Sequence, residues 1–456
     1  MRQRPRIALV TAATVLLGGG GLTLLPATTV HAATSAARYG DDFNGDGHRD
    51  YASGGSGRVT VTYGTARGPG KRTASFDQDS PGIPGTPSRD HGDYEAFGDA
   101  LAIGDFNRDG YGDLAVGDHS EDVDGKLSRG AVTLVWGSRS GLSSSATQLP
   151  HRLRTNHGSF GHALAAGDFD GDGKTDLAAA ENESVFLYRG GFSTSGTSGK
   201  VTEHFPGEPG AFQPTALVAG KVTKDKITDL YVLGHGVEHV EPVNSGAWLL
   251  RGGPTIKPGE LTTYSDKFNY QVTGVIADFD RNGYGDLAFR EALHQRYAGS
   301  VLVLPGGPRG SAVPRRISQS TPGVATAATA DDYFGRDLSA GDTNRDGYPD
   351  LAVGVPGEKA GAAERAGGVH ILRGGKRGLT GSGSRWFTRR SAGVPGPAVE
   401  HEGFGAHVRL RDLDRDGDAD LLVAGTTGST VLLPGGRSGI NASRARELPL
   451  AAGFPQ

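Results

Sequence analysis

The stretch from Gly104 to Leu114 reads GDFNRDGYGDL, with Asp105, Asn107, Asp109 and Asp113 at the first, third, fifth and ninth positions of a loop beginning at Asp105. Oxygen donors at alternate positions, with Gly110 supplying a sharp backbone turn, are the ligand set of a hard cation. Ca²⁺ suits such a protein cage better than Mg²⁺, which keeps several of its waters. The seventh residue, Tyr111, would contribute its backbone carbonyl, leaving its side chain free to vary. An EF-hand opens the same way but closes with Glu at position 12 between two helices. Here the last acid is at position nine and the apolar run DLAVG follows, so the loop joins two strands. Asp, Asn and Gly also form ordinary polar turns, and a single loop would not decide between the two chemistries.

The loop recurs. A first copy offers Asp42, Asn44, Asp46, His48 and Asp50. A third offers Asp168, Asp170, Asp172, Lys174 and Asp176, and a fifth Asp278, Asp280, Asn282, Tyr284 and Asp286. The sixth has Asp342, Asn344, Asp346, Tyr348 and Asp350, and the seventh Asp412, Asp414, Asp416, Asp418 and Asp420. The residue at position seven is expected to ligate through its carbonyl in each. The fourth copy, KVTKDKITDL from Lys221, is worn: Lys221 and Thr223 replace the first two ligands and Lys226 the glycine. Two ammonium groups there would stand in for an ion's charge. Six intact copies in register make Ca²⁺ the expected cofactor, about six structural ions.

The copies start at 42, 105, 168, 221, 278, 342 and 412, intervals of about 60 residues that fill the chain. Their surroundings repeat as well. Phe-Gly and a short strand pattern come first (FGDALAIGD at Phe97, FGHALAAGD at Phe160, FGRDLSAGD at Phe334, FGAHVRLRD at Phe404). A second apolar run follows the loop, a third comes after a variable connection (GAVTLVWG, GSVLVLPGG, GGVHILRGG), and a weaker fourth precedes the next copy. Short apolar runs bounded by Gly, Pro, Asn or Asp are strands. Four strands per unit and seven units predict an all-β, seven-bladed β-propeller of four-stranded antiparallel blades over 33–456. Stacking blades radially buries both faces of each sheet, which a lone sheet leaves bare.

Composition agrees. Glycine, at 75 residues, is over twice its usual share and fits many tight turns. With no Cys, disulfides, thiolate metal sites and Cys nucleophiles are excluded. The 47 basic and 51 acidic side chains leave a net charge of −4, which does not point to nucleic acid. Arg2, Arg4 and Arg6 precede an apolar run interrupted by four glycines, and Val30-His31-Ala32 supplies a small residue at a cleavage point. Residues 1–32 are therefore expected to be a signal peptide and the mature chain to be secreted, with no later membrane span.

FG…GDFNRDGYGDLAVG…GAV resembles the FG-GAP repeat of integrin alpha-subunit β-propellers and their secreted bacterial relatives. The resemblance covers nearly all of 33–456, is specific in blades two, six and seven, and weakens in blades four and five, where AFQPTALVAG and KFNYQVTGVIAD lack the Gly after Phe. It implies Ca²⁺ between the first and second strands and extracellular adhesion. Without thigh-like or inserted α/β segments in this sequence, it does not imply receptor signalling.

If the calcium loops mark one end, the long second-to-third and inter-blade loops lie at the other, where ligand sites concentrate. Tyr94, Tyr297, Arg296, Asp331, Tyr333 and Glu402 are candidates for polar and stacking contacts there, against the bland alternative of solvated loops. His91, His157, His162, His204, His294, His401 and His407 fall near the Phe-Gly positions and are expected to be hydrogen-bonded structural residues. Trp136 and Trp248 are expected between blades, and Trp386 and Phe387, with Arg385, Arg389 and Arg390, on an outer strand, as edge protection by charge or as a second contact surface. No G-x-S-x-G, HExxH or P-loop pattern is present, so no catalytic residue is assigned. The expected function is a monomeric, secreted, calcium-dependent scaffold that binds an extracellular protein or glycan. The alternative is an extracellular hydrolase or polysaccharide lyase, because FG-GAP propellers accompany glycosylphosphatidylinositol phospholipase D.

Overall fold

A computed structural model describes residues 36–87, 96–142, 145–151, 158–207, 212–236, 245–265, 272–308 and 313–448. The expected leader (1–32), Tyr94, His91 and His157 lie outside the described residues.

The second strand of a unit shows why the blades stack. Asp113–Asp118 (β5) is buried along its whole length, the mark of a strand covered on both faces. Its alternation divides the burial: Leu114 and Val116 enter the apolar cluster shared with the unit before, and Ala115 the cluster shared with the unit after. Outer strands such as Thr380–Phe387 (β23) are half exposed instead.

The strands in chain order form consecutive antiparallel blades. Blade one holds β1 (Tyr51–Gly55), β2 (Arg58–Thr65) and β3 (Gly68–Phe76). Blade two holds β4 (Ala100–Gly104), β5, β6 (Ala131–Val135) and β7 (Ala146–Gln148). Blade three comprises β8 (Leu164–Gly167), β9 (Asp176–Glu181), β10 (Ser184–Tyr188) and β11 (Val201–His204). Blade four comprises β12 (Phe212–Gly220), β13 (Asp229–Gly236), β14 (Ser245–Arg251) and β15 (Lys257–Ser265). Blade five has β16 (Gly274–Ala277), β17 (Asp286–Glu291), β18 (Ser300–Leu304) and β19 (Arg315–Ile317). Blade six has β20 (Leu338–Gly341), β21 (Asp350–Val355), β22 (Gly368–Arg373) and β23, and blade seven β24 (His407–Arg411), β25 (Asp420–Ala424), β26 (Thr430–Leu433) and β27 (Arg446–Leu448). Among the described residues, blade one has three strands. Ala37–Asp41 stands where its innermost strand would be and makes one ladder bond, Asp50 N to Asp41 O at 2.7 Å.

Seven apolar clusters sit one at each junction between neighbouring blades, including the junction of blade seven with blade one. The ring is thus closed. At the last junction the cluster shrinks to Tyr51, Leu413, Leu422, Leu432 and Leu448, and polar contacts supplement it. Arg411 pairs with the buried Asp41, which Arg49 also reaches at 3.2 Å. Arg446 donates to Arg67 O at 2.5 Å. β27 completes blade seven as its outermost strand.

One contact recurs in every blade. The ninth loop residue, an aspartate that is buried in all seven copies, accepts from the backbone amide of the second loop residue at 2.8–3.3 Å. Its other oxygen accepts from a glycine amide at the end of the third strand, at 2.5–3.1 Å. That glycine has to be glycine. A Cβ on Gly64, Gly137 or Gly374 would stand 2.0–2.1 Å from the carbonyl oxygen of the eighth loop residue.

Two predictions follow from these contacts. Asp229 makes the same pair of bonds in the worn fourth loop, so Asp229→Ala should leave two buried amides unsatisfied and cost about 2–4 kcal/mol. Urea unfolding should give that loss equally with calcium and with EDTA. Arg411→Ala should leave the buried Asp41 with only Arg49 and destabilise the ring by about 2 kcal/mol. Limited proteolysis should then cut first at the junction of blades seven and one.

Candidate metal centres

The six intact loops share one hydrogen-bond frame. The amide of residue six donates to the carboxylate of residue one at 2.7–3.3 Å. Residue five donates to the side-chain oxygen of residue three at 2.9–3.2 Å. Residue seven donates to that of residue five at 2.7–3.0 Å. In five of these loops the first aspartate uses both of its oxygens to hold the turn, and each carboxylate oxygen keeps a further lone pair with which to meet a cation. The glycine at position six has positive φ in all six, from +79° at Gly173 to +94° at Gly110, as the sharp turn requires.

These frames bring acids together. Oxygens of Asp168, Asp170 and Asp176 lie within 4.8 Å of one another, as do those of Asp278, Asp280 and Asp286, and those of Asp412, Asp414 and Asp416. In loops one, two and six, Asn44, Asn107 and Asn344 supply the third position with an amide oxygen. Burial, and then neighbouring carboxylates, push these acids up: Asp50 to about 7, Asp113 to about 8, and Asp176, Asp286 and Asp420 to about 6. Convergent, partly buried anions that raise one another's pKa are what a dication stabilises. An all-oxygen set held by a preformed turn fits Ca²⁺.

The fourth loop keeps the turn and loses the site. Asp225 accepts from Thr223 Oγ1 at 2.8 Å and from the Ile227 amide at 3.0 Å, and Asp229 retains its two amide bonds. Lys221 and Lys226 are exposed. The strands are joined there through backbone amides that donate to Asp229.

The freedom expected of the position-seven side chain is not what the structure shows. That side chain meets residue four of the preceding blade. Lys224 stands over the Tyr284 ring at 4.4 Å and Arg281 over the Tyr348 ring at 5.3 Å. Arg345 pairs with Asp418 at 3.0 Å, and Arg415 reaches His48 Nδ1 at 3.2 Å across the closing junction. Where residue four is Gly45 or Gly171, Tyr111 or Ile227 packs against it. The exception is Arg108 beside Lys174, like charges, and Lys174 turns to Asp172 at 2.6 Å. Six of the seven junctions are therefore braced loop to loop, a pairing hidden from the sequence because its partners lie in different repeats.

The other candidates separate. Glu402 is buried and paired with Arg389 at 2.7 Å, so it is structural and makes no surface contact. Arg389 also donates to Ser429 O, and Arg385 to Ile440 O at 2.8 Å, so the basic strip of β23 ties blade six to blade seven instead of guarding an edge. Trp136 and Trp248 pack between blades. His162 bonds Ser159 O and Pro214 O, both at 2.9 Å, and His204 bonds Thr202 at 2.8 Å. Sequence reasoning passed over His151, which stacks on Phe160 at 3.8 Å and lies 3.1 Å from Glu181. Tyr297, Tyr333 and His401 remain at the face opposite the loops.

Comparison with known proteins accords with this geometry. The FG-GAP repeat family matches residues 334–372, and an FG-GAP-like repeat matches 105–179. The phosphatidylinositol-glycan-specific phospholipase D of Rattus norvegicus is 34% identical over 148 residues, 30% of this chain and 17% of that protein. Integrin alpha pat-2 of Caenorhabditis briggsae is 39% identical over 110 residues, 23% of this chain and 9% of that one. Integrin alpha-PS3 of Drosophila melanogaster is 40% identical over 102 residues, 20% and 9% of the two chains. The chain thus spans less than a fifth of the length of these relatives. A solved structure of an Agrocybe aegerita lectin that recognises non-reducing terminal N-acetylglucosamine matches with a TM-score of 0.50 and 12% identity, over 87% of this chain and 89% of that one, a likeness of fold. With these repeats matched and the blades in place, the chain is a seven-bladed β-propeller that carries FG-GAP repeats and resembles integrin alpha subunits over part of its length.

Proposed function

We propose that the protein is a secreted, calcium-stabilised propeller that binds an extracellular protein or glycan through the face opposite its metal loops. The observation that carries the calcium reading is the shared oxygen frame of six loops, set against the fourth loop, which lost the ligands and kept the fold. The binding reading rests on division of labour. One end of the ring is taken up by short loops whose polar groups face inward, and the other carries the long connections that ligands contact. The similarity to integrin alpha subunits and to the phospholipase supports an extracellular setting. Among the described residues, no helix is long and apolar enough to cross a membrane.

Calcium should raise the melting temperature and EDTA should lower it, because a ligand at 100 times its Kd stabilises by about 2.7 kcal/mol per site. Exchanging Asp278 and Asp280 for Asn should shrink the calcium-dependent shift without lowering the metal-free melting temperature, since it relieves repulsion in the empty loop. A melting temperature indifferent to EDTA would return the loops to polar turns. For the binding face, a glycan array run beside a turnover screen on polysaccharides and lipid esters tests the reading. Turnover abolished by loop-face substitutions in a folded protein would replace the scaffold by an enzyme.

A further inference from the structure

Arg290 breaks the repeat. The fifth residue of the second strand is Gly54, Gly117, Ala180, Leu233, Gly354 and Ala424 in the other six blades. Where it is glycine, the next blade's backbone fills the space. A Cβ on Gly54, Gly117 or Gly354 would lie 2.0, 2.1 or 2.0 Å from the carbonyl oxygen of Gly98, Gly161 or Gly405, the glycine after the repeated Phe. Blade five sets a guanidinium there instead, on a residue only 1% exposed. Burying that charge is costly unless something compensates it.

A cavity of about 420 Å³ lies at this junction, on the face opposite the metal loops. Arg290 from blade five, Tyr333, Arg336 and Arg365 from blade six, and His401 from the approach to blade seven line it, with no carboxylate among the described lining residues. Of the acids on the same loops, Asp331 accepts from the Tyr333 hydroxyl at 3.5 Å, and Glu364, Asp332 and Asp337 have partners outside the lining. Glu364 pairs with Lys359 at 2.7 Å, Asp332 accepts from Thr329, and Asp337 accepts from the Leu338 and Val408 amides. Glu400 stands 3.8 Å from His401, on its exposed side. The chain as a whole is acidic, so this concentration of guanidinium is local. Burial first, and then Arg336, bring Arg290 down to about 10.

The cavity also has an aromatic rim. Tyr297 is 48% exposed and its ring centre is 6.4 Å from that of Tyr333. Tyr333 holds φ +59° at the position before the repeated Phe-Gly, where Ser159 and Gly403 stand in other blades. The backbone form thus belongs to the repeat, and the aromatic side chain is particular to this blade.

We propose that this pocket binds an acidic saccharide unit, its carboxylate or sulfate held by Arg290, Arg336 and Arg365 and its ring face laid against Tyr333 and Tyr297. Planar guanidinium forks match the geometry of both oxyanions. The volume lies in the range of small-ligand sites and admits one or two sugar residues at the mouth. The assignment rests on the loop-face binding reading and names its ligand class.

Calorimetric titration of the full chain in calcium, with tetragalacturonate and with a sulfated heparin tetrasaccharide, tests it against uncharged cellotetraose. At least one acidic probe should bind and cellotetraose should not, and the probe that binds tells carboxylate from sulfate. Arg336→Ala and Arg365→Ala, both at exposed positions, should each weaken binding about tenfold with the melting temperature unchanged. Arg290→Gly restores the residue of blades one, two and six, so it should fold and lose the same ligand. Equal binding of cellotetraose, no binding of either acidic probe, or full affinity in the folded Arg336→Ala, Arg365→Ala double variant overturns the proposal. A neutral glycan or protein bound at this face in a calcium-dependent way would sink the acidic ligand and leave the scaffold standing.

Discussion

The structure depends on one buried carboxylate used seven times. The ninth loop aspartate joins the start of its own loop to the end of the third strand, so three consecutive strands of each blade are fixed against one another at one end. The partners of this group are backbone amides, which any sequence supplies, and the receiving glycine is dictated by the close carbonyl of the eighth residue. That economy lets loop sequences and lengths diverge while the blade persists. Blade four shows the consequence. Asp229 survives in a loop whose first, third and sixth residues have all changed.

Burying that aspartate among other acids creates the electrostatic problem that a cation solves. In the intact loops two or three further carboxylates converge on it, and their mutual repulsion adds to the loss of water. The proposed dication would reverse both effects and join strand one to strand two through the same loop. Blade four removes the extra acids instead. Blade four thus separates the ninth residue, whose two amide bonds persist in every loop, from the first and third, which are kept only in the loops with a convergent oxygen set.

Much of this was legible in the sequence because it is local. The alternate oxygens, the glycine at position six and the unbroken apolar runs such as DLAVG are contained within ten residues, and their recurrence gave blade number and strand order. The ninth aspartate was read as a ligand, while its bonds to Gly137 or Gly252 join residues 24 and 23 apart in the chain. The bracing of one loop's fourth residue against the next loop's seventh was invisible for the same reason, as was the Arg411–Asp41 seam between the two ends of the ring. Glu402 and the Arg385–Arg389 strip looked like surface chemistry because charge in a loop or outer strand is usually solvated. Glu402 and Arg389 are buried at the junction with blade seven, and Arg385, though exposed, donates to Ile440 O of that blade. Arg290 was missed although the signal was present: aligning the repeats exposes an arginine in a column of small and apolar residues.

Six loops are proposed to hold ions and the fourth to hold none. Native mass spectrometry of the purified chain, exchanged into calcium and then into chelator, counts them directly. The account predicts six calcium ions per chain, lost with chelator, and five when Asp278 and Asp280 are changed to Asn. A seventh ion retained in blade four, or none at all, would contradict it.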